Sequence, residues 1–454
     1  MALTGIANSE SRIATAQLVE ALKETRTRTL ELIDDLSDEQ VIGPRLQIVN
    51  PLRWEIGHLA WFQEFWVLRH LGGQPPILKY GDELYDSARV AHGTRWDLPL
   101  LERDKTVSYM QEVLQRVSEQ VHNGNSNLTD AEGYDEEYFL NLVMLHEQMH
   151  DEAITYTRQT LSYPAPAIGN TAKQAGVIEA DNNYLMGDAE IPGGKFTLGS
   201  PPESGFVFDN ERLAHEVEIA PFAISKTAVT NGEFTNFVED GGYRRSELWT
   251  TEGWHWLTAA SADCPVYWGR ERNGRWLRRN FDEWVVLDER LPVIHINWHE
   301  ADAYCRWAAR RLPTEAEWEM AASTEPAASE RDRSSYKRQY PWGDDSPTLE
   351  RANLDWSAMG CVPVDALPAG VSAFGCRQMI GNVWEWTASD FKPYPGFVAG
   401  PYKEYSEPWF GDNKVLRGGC WATRSRLIHN TYRNFYTPHR RDVWAGFRTC
   451  ELNI

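Results

Sequence analysis

Apolar residues recur at three- and four-residue spacing through the first third of the chain. This pattern predicts four long helices, over 10–36, 52–71, 103–122 and 135–161. Long helices that each carry one apolar face are typical of a helix bundle, because the faces must be buried against one another. The sequence therefore predicts a helical N-terminal domain over 1–162.

The helical periodicity is lost after this bundle. Residues 163–183 include Pro164, Pro166 and Gly169 and indicate a linker. In residues 184–454, short apolar stretches alternate with glycine, proline and aspartate turns. One regular part is a predicted pair of helices, the second of which opens at Thr314 with Glu317 at capping-box spacing. The predicted fold class is α+β multidomain, with little regular secondary structure in the second domain.

Composition narrows the classes of partner. A formal net charge of -21 argues against nucleic acid and against an anionic membrane surface, because both require basic patches. The six cysteines show no CxxC spacing, which favours reduced thiols. The chain has no N-terminal apolar segment and no apolar run of 18 residues. We expect a cytoplasmic protein whose partners are small molecules.

Two histidines stand four residues apart in the segment LHEQMHDEA. His146 and His150 therefore project from one face of the last predicted helix, at metal-ligand spacing. The candidate for a third ligand is His58, in the aromatic-rich helical segment WEIGHLAWFQEFW. Glu152 is an alternative ligand, but its position two residues after His150 favours a supporting role behind a ligand. Three histidine ligands would leave open positions on the metal for chemistry.

The second domain contains a series of tryptophan- and glycine-rich motifs. In order they are IPGGKFTLGS, RLPTEAEWE, YPWGD, GNVWEWT, LRGGCWA and AGFR. The series resembles the formylglycine-generating-enzyme, or sulfatase-modifying-factor, family, which implies a C-type-lectin-like fold. Formylglycine-generating members carry a cysteine pair shortly after the LRGG segment, whereas here Cys420 is followed by Trp421, Ala422 and Thr423, and no further cysteine occurs before Cys450. The resemblance therefore implies the fold without that reaction.

The first 160 residues resemble a DinB-type four-helix bundle. The combination of the two domains resembles the ergothioneine-biosynthesis sulfoxide synthases and their selenoneine-synthase relatives. That resemblance implies Fe(II) as cofactor, bound by His58, His146 and His150. It also implies hercynine, the trimethylated betaine of histidine, as a substrate whose imidazole C2 is joined oxidatively to sulfur or selenium with O2.

The permanent cation of hercynine requires aromatic faces or a carboxylate in its pocket. By resemblance, the segment TYRNFYTPHRRDVWAGFR supplies the substrate contacts, namely Tyr432, Asn434, Phe435, Tyr436 and Trp444. A phenol that supplies a proton or an electron would assist the oxidation. Tyr394 in FKPYPGF is the first candidate for this phenol, with Tyr402 and Tyr405 as alternatives.

Two departures from the thiol-using relatives concern the second substrate. Those relatives commonly have a glutamine where this chain has Met149, and closely spaced arginines that hold the donor's carboxylates. Here Arg89 and Arg95 are separated by apolar and small residues. The loop looks more like that of the selenoneine-synthase branch, whose donor is a selenosugar. Cysteine and gamma-glutamylcysteine are the alternative donors.

Two other classes of function stay open from the sequence. A DinB-type thiol transferase or hydrolase would use three histidines to hold zinc or nickel and activate a thiol or water. A non-catalytic module would bind a ligand through the lectin-like domain without chemistry.

Overall fold

The structure is a computed structural model, and it describes residues 2–123, 128–168, 187–201, 204–326 and 337–452. The chain divides into two compact units, Met1–Gly169 and Asn170–Ile454. Residues 169–183 of the predicted linker lie outside the described residues. Across the described ranges, no helix combines the length and the apolar character needed to cross a bilayer.

The N-terminal unit is a helical bundle. Its long helices are α1 (Ala2–Glu31), α3 (Leu52–Gln63), α5 (Arg103–His122) and α6 (Glu136–Thr160), and its short ones are α2 (Asp38–Ile42) and α4 (Gly81–Tyr85). A π-helix, Glu64–Leu71, continues α3 without a break, so the segment predicted over 52–71 is helical throughout. The first helix starts earlier than predicted and ends at Glu31, where a turn replaces its predicted last residues.

Local sequence fixes where α6, the helix of His146 and His150, begins. The Asp135 carboxylate accepts a hydrogen bond from the backbone N–H of Tyr138 and so caps the start of α6. Beyond this cap, α6 packs against both α1 and α3, and α3 packs against α5 as well. The two helices that carry the three histidines therefore share a contact surface inside the bundle.

The second unit is built from short strands in four sheets. The first sheet has the order β1 (Asp188–Ile191), β4 (Phe222–Ser225), β13 (Cys450–Glu451), β8 (Arg310–Arg311). The second has the order β11 (Asn434–Tyr436), β10 (Lys414–Arg417), β9 (Trp384–Asp390), β12 (Ala445–Gly446). The others are the pair β2 (Gly194–Leu198) and β3 (His215–Ile219) and the meander β5 (Trp268–Arg270), β6 (Trp276–Asn280), β7 (Glu283–Val286). The helices are α7 (Asn231–Glu239), α8 (Thr251–Ala260), α9 (Trp298–Trp307) and α10 (Glu315–Ser323).

The predicted helix pair of the second unit is present as α9 and α10. Thr314 and Glu317 form the predicted capping box at the start of α10, each bonding to the other's backbone N–H. Tryptophans form much of the core, and six are at most 2% exposed: Trp318, Trp384, Trp386 and Trp421 of the motifs, together with Trp356 and Trp444. These motifs are therefore determinants of the fold, which explains their spacing without a ligand.

Candidate metal centre

The structure brings His58, His146 and His150 together. One potential ligand atom from each lies within 4.8 Å of the others. His58 is on α3, and the other two are one turn apart on α6. His58 and His146 are each 2% exposed, and His150 is partly exposed. Donors at this separation, two buried and one reaching the surface, form a centre that can hold a metal ion with an accessible side.

The intervening residues of α6 fix which face of the helix meets α3. Glu147 forms a buried ion pair with Arg26 of α1, with Nε and Oε1 2.7 Å apart. The Thr29 hydroxyl lies 2.8 Å from a carboxylate oxygen of Glu147 and 2.8 Å from one of Asp151, and its single hydrogen bonds to this pair. Residues 147 and 151 thus bind α1. Because a turn of helix holds 3.6 residues, the histidines at 146 and 150 lie on a different face and point to α3.

A backbone carbonyl orients the His58 ring. His58 donates from Nδ1 to the carbonyl oxygen of Tyr85 at 2.7 Å. Since a carbonyl can only accept, the proton is on Nδ1 and the lone pair of Nε2 is available for a metal. Tyr85 lies at the end of α4, and a Cβ at Gly57 would come within 2.2 Å of its ring. Glycine at 57 therefore permits the close approach of α3 and α4 that makes this hydrogen bond.

A buried carboxylate orients the His150 ring. Glu55, on α3, accepts a very short hydrogen bond from His150 Nδ1 on Oε2 and a second one from Asn50 Nδ2 on Oε1. Burial would raise the pKa of Glu55, but the His150 imidazole and the Asn50 amide outweigh it and hold this pKa at about 2. The carboxylate is therefore charged at neutral pH. A carboxylate behind a ligating histidine fixes its tautomer and raises its basicity.

Burial keeps the other two imidazoles neutral. It lowers the pKa of His58 to about 3, with the neighbouring His150 acting in the same direction. It also lowers the pKa of His146 well below its ordinary value. The neutral imidazole is the form that binds a metal, because its unprotonated nitrogen carries the lone pair. The donor set thus fits a divalent ion such as Fe(II), and the carboxylate behind it supplies negative charge.

Two aromatic rings of α3 pack against two of the histidines, one on α3 and one on α6. The Trp54 ring stacks on His58 with centroids 4.8 Å apart and an angle of 9°. The Phe62 ring stacks on His146 at 3.6 Å, also at 9°. Trp54 donates its Nε1 hydrogen to the carbonyl of Leu84 at 2.8 Å, next to the carbonyl that holds His58. His58 is therefore held by stacking as well as by a hydrogen bond, and His146 by stacking, which limits the rotation of both rings.

The other predicted residues of the first unit lie in different environments. Arg95 is buried and donates to Asn50 Oδ1 at 2.6 Å, whereas Arg89 is a surface residue whose side chain is 69% exposed beside Asp86. Met149 is half-buried on α6 between the two ligands. Glu152 is buried, and its predicted supporting role stays a prediction.

Four of the predicted aromatic residues of the second unit lie together. Tyr405 and Tyr432 share a hydrogen bond between their hydroxyl groups at 3.0 Å. The ring of Tyr402 stacks on Tyr405 at 6.0 Å, and Phe435 lies 5.3 Å from Tyr405. Burial raises the pKa of Tyr405 far above its ordinary value, so its phenol is protonated at neutral pH.

Tyr394 occupies a separate buried position. Its ring lies 4.0 Å from the guanidinium carbon of Arg433, and its hydroxyl is 3.5 Å from Glu315 Oε2. Burial raises the pKa of this phenol well above its ordinary value. Tyr394 and Tyr405 are therefore both protonated phenols, and they differ in their partners.

The remaining predicted substrate contacts do not form one group. Asn434, Phe435 and Tyr436 make up β11, where Asn434 Oδ1 accepts from the N–H of Phe435 at 2.8 Å. The ring of Tyr436 faces the guanidinium of Arg440 at 5.1 Å. Trp444 instead lies in the core, 2% exposed, with its ring 4.5 Å from that of His295. Its surroundings are those of a packing residue.

The sequence reasoning missed the groups that hold the ligands. Glu55 could have been found, because it precedes His58 by three residues and so lies on the same face of the helix. The role of the Tyr85 carbonyl could not have been found, since the pattern of side chains in a sequence does not indicate which backbone carbonyl accepts a hydrogen bond. Asn50 lies just before α3, and its contact with Glu55 could not have been predicted from the sequence either.

Comparison with known proteins identifies the two domains. Residues 21–154 match the DinB superfamily, and residues 174–452 match the sulfatase-modifying factor enzyme 1-like domain. The hercynine oxygenase of Mycobacterium tuberculosis is 36% identical over 95% of this chain and 98% of its own length. This chain belongs to the hercynine oxygenase family. The predicted family and the predicted fold class, a helical DinB domain followed by a C-type-lectin-like domain, are thereby confirmed.

Other relatives show how much of the chain each likeness covers. A second hercynine oxygenase, from Mycolicibacterium smegmatis, is 35% identical over 96% of this chain and 99% of its own length. The formylglycine-generating enzyme of Streptomyces coelicolor is 32% identical but covers 58% of this chain. The similarity to the hercynine oxygenases thus covers the bundle with the three histidines. The similarity to the formylglycine-generating enzyme covers a share of the chain that corresponds to the C-terminal domain.

Proposed function

We propose that this member of the hercynine oxygenase family binds Fe(II) at its three histidines and uses O2 to join the imidazole C2 of hercynine to the chalcogen of a second substrate. The observation that carries the proposal is the arrangement of His58 and His150, whose Nδ1 atoms are both bound to acceptors so that their Nε2 atoms can face a metal. The names of the full-length relatives support hercynine as the substrate.

The reaction needs a two-electron oxidant. Forming a carbon–chalcogen bond from C2–H and a chalcogen–H group removes two electrons and two protons, which O2 accepts. Fe(II), when bound, would supply the redox chemistry and open coordination positions for O2 and a soft anionic chalcogen. The protein's part is to keep His58 and His146 neutral and to hold the three rings in place, because reacting groups that are held in place avoid the entropy cost of meeting.

A buried phenol provides the proton or electron in this proposal. Tyr394 is the first candidate, and Tyr405 and Tyr402 are the alternatives. Both Tyr394 and Tyr405 are protonated at neutral pH, the form that can give a proton. Replacing each with phenylalanine in turn and measuring the rate of adduct formation would identify the phenol, since only one variant should lose most of the rate.

A selenosugar is the proposed chalcogen donor, and cysteine or gamma-glutamylcysteine is the alternative. A donor with carboxylates calls for a pair of available guanidinium groups. Here Arg95 is buried against Trp54 and Asn50, and Arg89 lies at the surface with Asp86. This separation supports a donor that offers hydroxyl groups. The alternative is supported by the hercynine oxygenases, which match the whole chain.

One competition experiment tests both levels of the proposal. Fe(II)-loaded protein, hercynine and air would be mixed in parallel with a selenosugar, cysteine or gamma-glutamylcysteine, and the product masses measured by chromatography. A selenium adduct formed much faster than either sulfur adduct is expected. A dominant sulfur adduct would contradict the donor and leave the hercynine chemistry standing. No adduct with any donor would refute the function, and zinc in the purified protein would then favour the DinB-type transferase.

A further inference from the structure

Arg95 is a buried cation beside the metal centre. It follows the short helical turn His92–Thr94 and is 8% exposed. Its Nη1 donates to Asn50 Oδ1 at 2.6 Å, and its guanidinium carbon lies 3.7 Å from the centre of the Trp54 ring. Burying a side chain that is always charged is costly unless its contacts compensate. Both contacts lead to a metal ligand.

The first contact leads to His150. Because a guanidinium has only donors, Asn50 must turn its amide oxygen to Arg95 and its NH2 group to Glu55. Glu55 uses its other oxygen to accept from His150 Nδ1. The side chains therefore form one series of hydrogen bonds in which the donors converge on the Glu55 carboxylate, Arg95 decides how Asn50 is turned, and Asn50 holds the carboxylate.

The second contact leads to His58. The guanidinium lies over the Trp54 ring, and that ring is stacked on His58 with an angle of 9°. Arginine over the face of a tryptophan is a favourable cation–π arrangement, stronger when both groups are desolvated. Trp54 is 1% exposed, so this contact is buried. Arg95 thereby limits the movement of the ring on which His58 rests.

We propose that Arg95 is a positioning residue that sets the orientation of two metal ligands, His150 through Asn50 and Glu55, and His58 through Trp54. The inference rests on the three-histidine metal site of the proposed function and is independent of the substrates. It replaces a substrate-binding role for Arg95. Arg89, six residues earlier, has neither contact and provides a matched control.

The test measures metal binding in the absence of substrates. Metal-free full-length protein would be titrated anaerobically with Co(II), and separately with Fe(II), against a competing chelator. The Co(II) absorption bands report the geometry of the ligands, a readout that a general loss of activity would not move. The variants are Arg95→Gln, Arg95→Lys, Asn50→Ala and the double variant Arg95→Gln/Asn50→Ala, with Arg89→Gln as control.

Arg95→Gln is expected to weaken Co(II) and Fe(II) binding by about 10-fold or more, as the loss of outer partners of ligating histidines does, and to shift the Co(II) bands. The metal affinity of Arg95→Lys should lie between those of Arg95→Gln and the wild type, because lysine keeps the charge but lacks the planar guanidinium group. The double variant should lose less than the product of the single losses, since the two residues act in one series. Arg89→Gln should bind like the wild type.

Wild-type metal affinity and an unchanged Co(II) spectrum in Arg95→Gln would overturn the proposal, and a raised KM for the chalcogen donor in the same variant would assign Arg95 to substrate binding. If Arg95→Gln does not fold, the metal affinities and Co(II) spectra of Asn50→Ala and Arg95→Lys test the proposal, and wild-type values in both would overturn it. Failure of every donor to give an adduct would refute the proposed function, yet it would leave these titrations unaffected. The two failures are therefore distinguishable.

Discussion

Replacing Glu55 with glutamine should weaken metal binding without removing a ligand. The carboxylate accepts from Asn50 on one oxygen and from His150 on the other. Glutamine has a single acceptor oxygen, so one of these donors would face an NH2 group. A hydrogen bond to a charged group contributes about 1.5–3 kcal/mol and a neutral one about 0.5–1.5 kcal/mol. We therefore expect a loss of about 2 kcal/mol, or roughly 30-fold in the dissociation constant.

The assay is a competition titration of metal-free Glu55→Gln with Fe(II) or Co(II). Glu152→Gln serves as the direct comparison, because the sequence assigns the supporting role to that carboxylate. Glu112→Gln is the control, since Glu112 forms an exposed pair with Arg116 on α5, and such pairs contribute little. The free energy of unfolding of each metal-free variant would show whether a change in affinity reflects the centre or the fold.

An unchanged dissociation constant in Glu55→Gln would refute the reasoning, because the carboxylate would then be dispensable for the orientation of His150. A large loss in Glu152→Gln with no loss in Glu55→Gln would transfer the supporting role to α6, as the sequence predicts.

Three further substitutions test the surroundings. Gly57→Ala should destabilise the protein by about 1–3 kcal/mol and weaken metal binding, because the added methyl group would displace Tyr85. Glu147→Gln should lower the free energy of unfolding by about 3–5 kcal/mol in urea titrations, since it leaves the Arg26 charge buried. Burial raises the pKa of Glu211 from 4.5 to about 8, so the stability gained from its protonated form is present below pH 4.5 and lost as the pH rises through 8. Glu211→Gln should remove that loss, as thermal unfolding between pH 5 and 9 would show.

Each of these substitutions has a matched control or a clear contrary result. Gly93→Ala adds a methyl group with nothing within 4 Å and should change neither stability nor metal binding. Glu20→Gln breaks the exposed pair with Lys23 and should cost far less than Glu147→Gln. Parallel stability profiles for the wild type and Glu211→Gln across this pH range would contradict the assignment for Glu211.

The sequence predicted the elements whose stability comes from a periodic apolar face. The helix predicted over 103–122 is observed with those bounds, and the last helix differs by one residue at each end. The first helix was predicted less well, because the turn after Glu31 continues the apolar spacing that indicated helix as far as 36. Periodicity reports which face is buried and not where the backbone leaves the helix.

The sequence predicted which three histidines lie together, but it did not predict the groups that orient them. His146 and His150 are marked by their spacing along one helix, and His58 by its aromatic surroundings. Arg95 was assigned to the substrate by resemblance, because relatives hold the donor with arginines of the same loop. Its actual environment depends on the approach of the loop to α3, which no local pattern encodes.

Under the proposed function, the three-imidazole donor set has a consequence for how a metal would be acquired. Nitrogen ligands bind first-row divalent ions in an order that places Zn(II) and Cu(II) above Fe(II), so affinity alone does not select iron. The Tyr85 carbonyl and the Glu55 carboxylate hold two of the rings in place beforehand, and little rearrangement is needed for any ion of suitable size. Occupancy is then decided by which ion is abundant when the chain folds. The measured activity of a preparation would report the metal supply of the cell or medium as much as the quality of the protein.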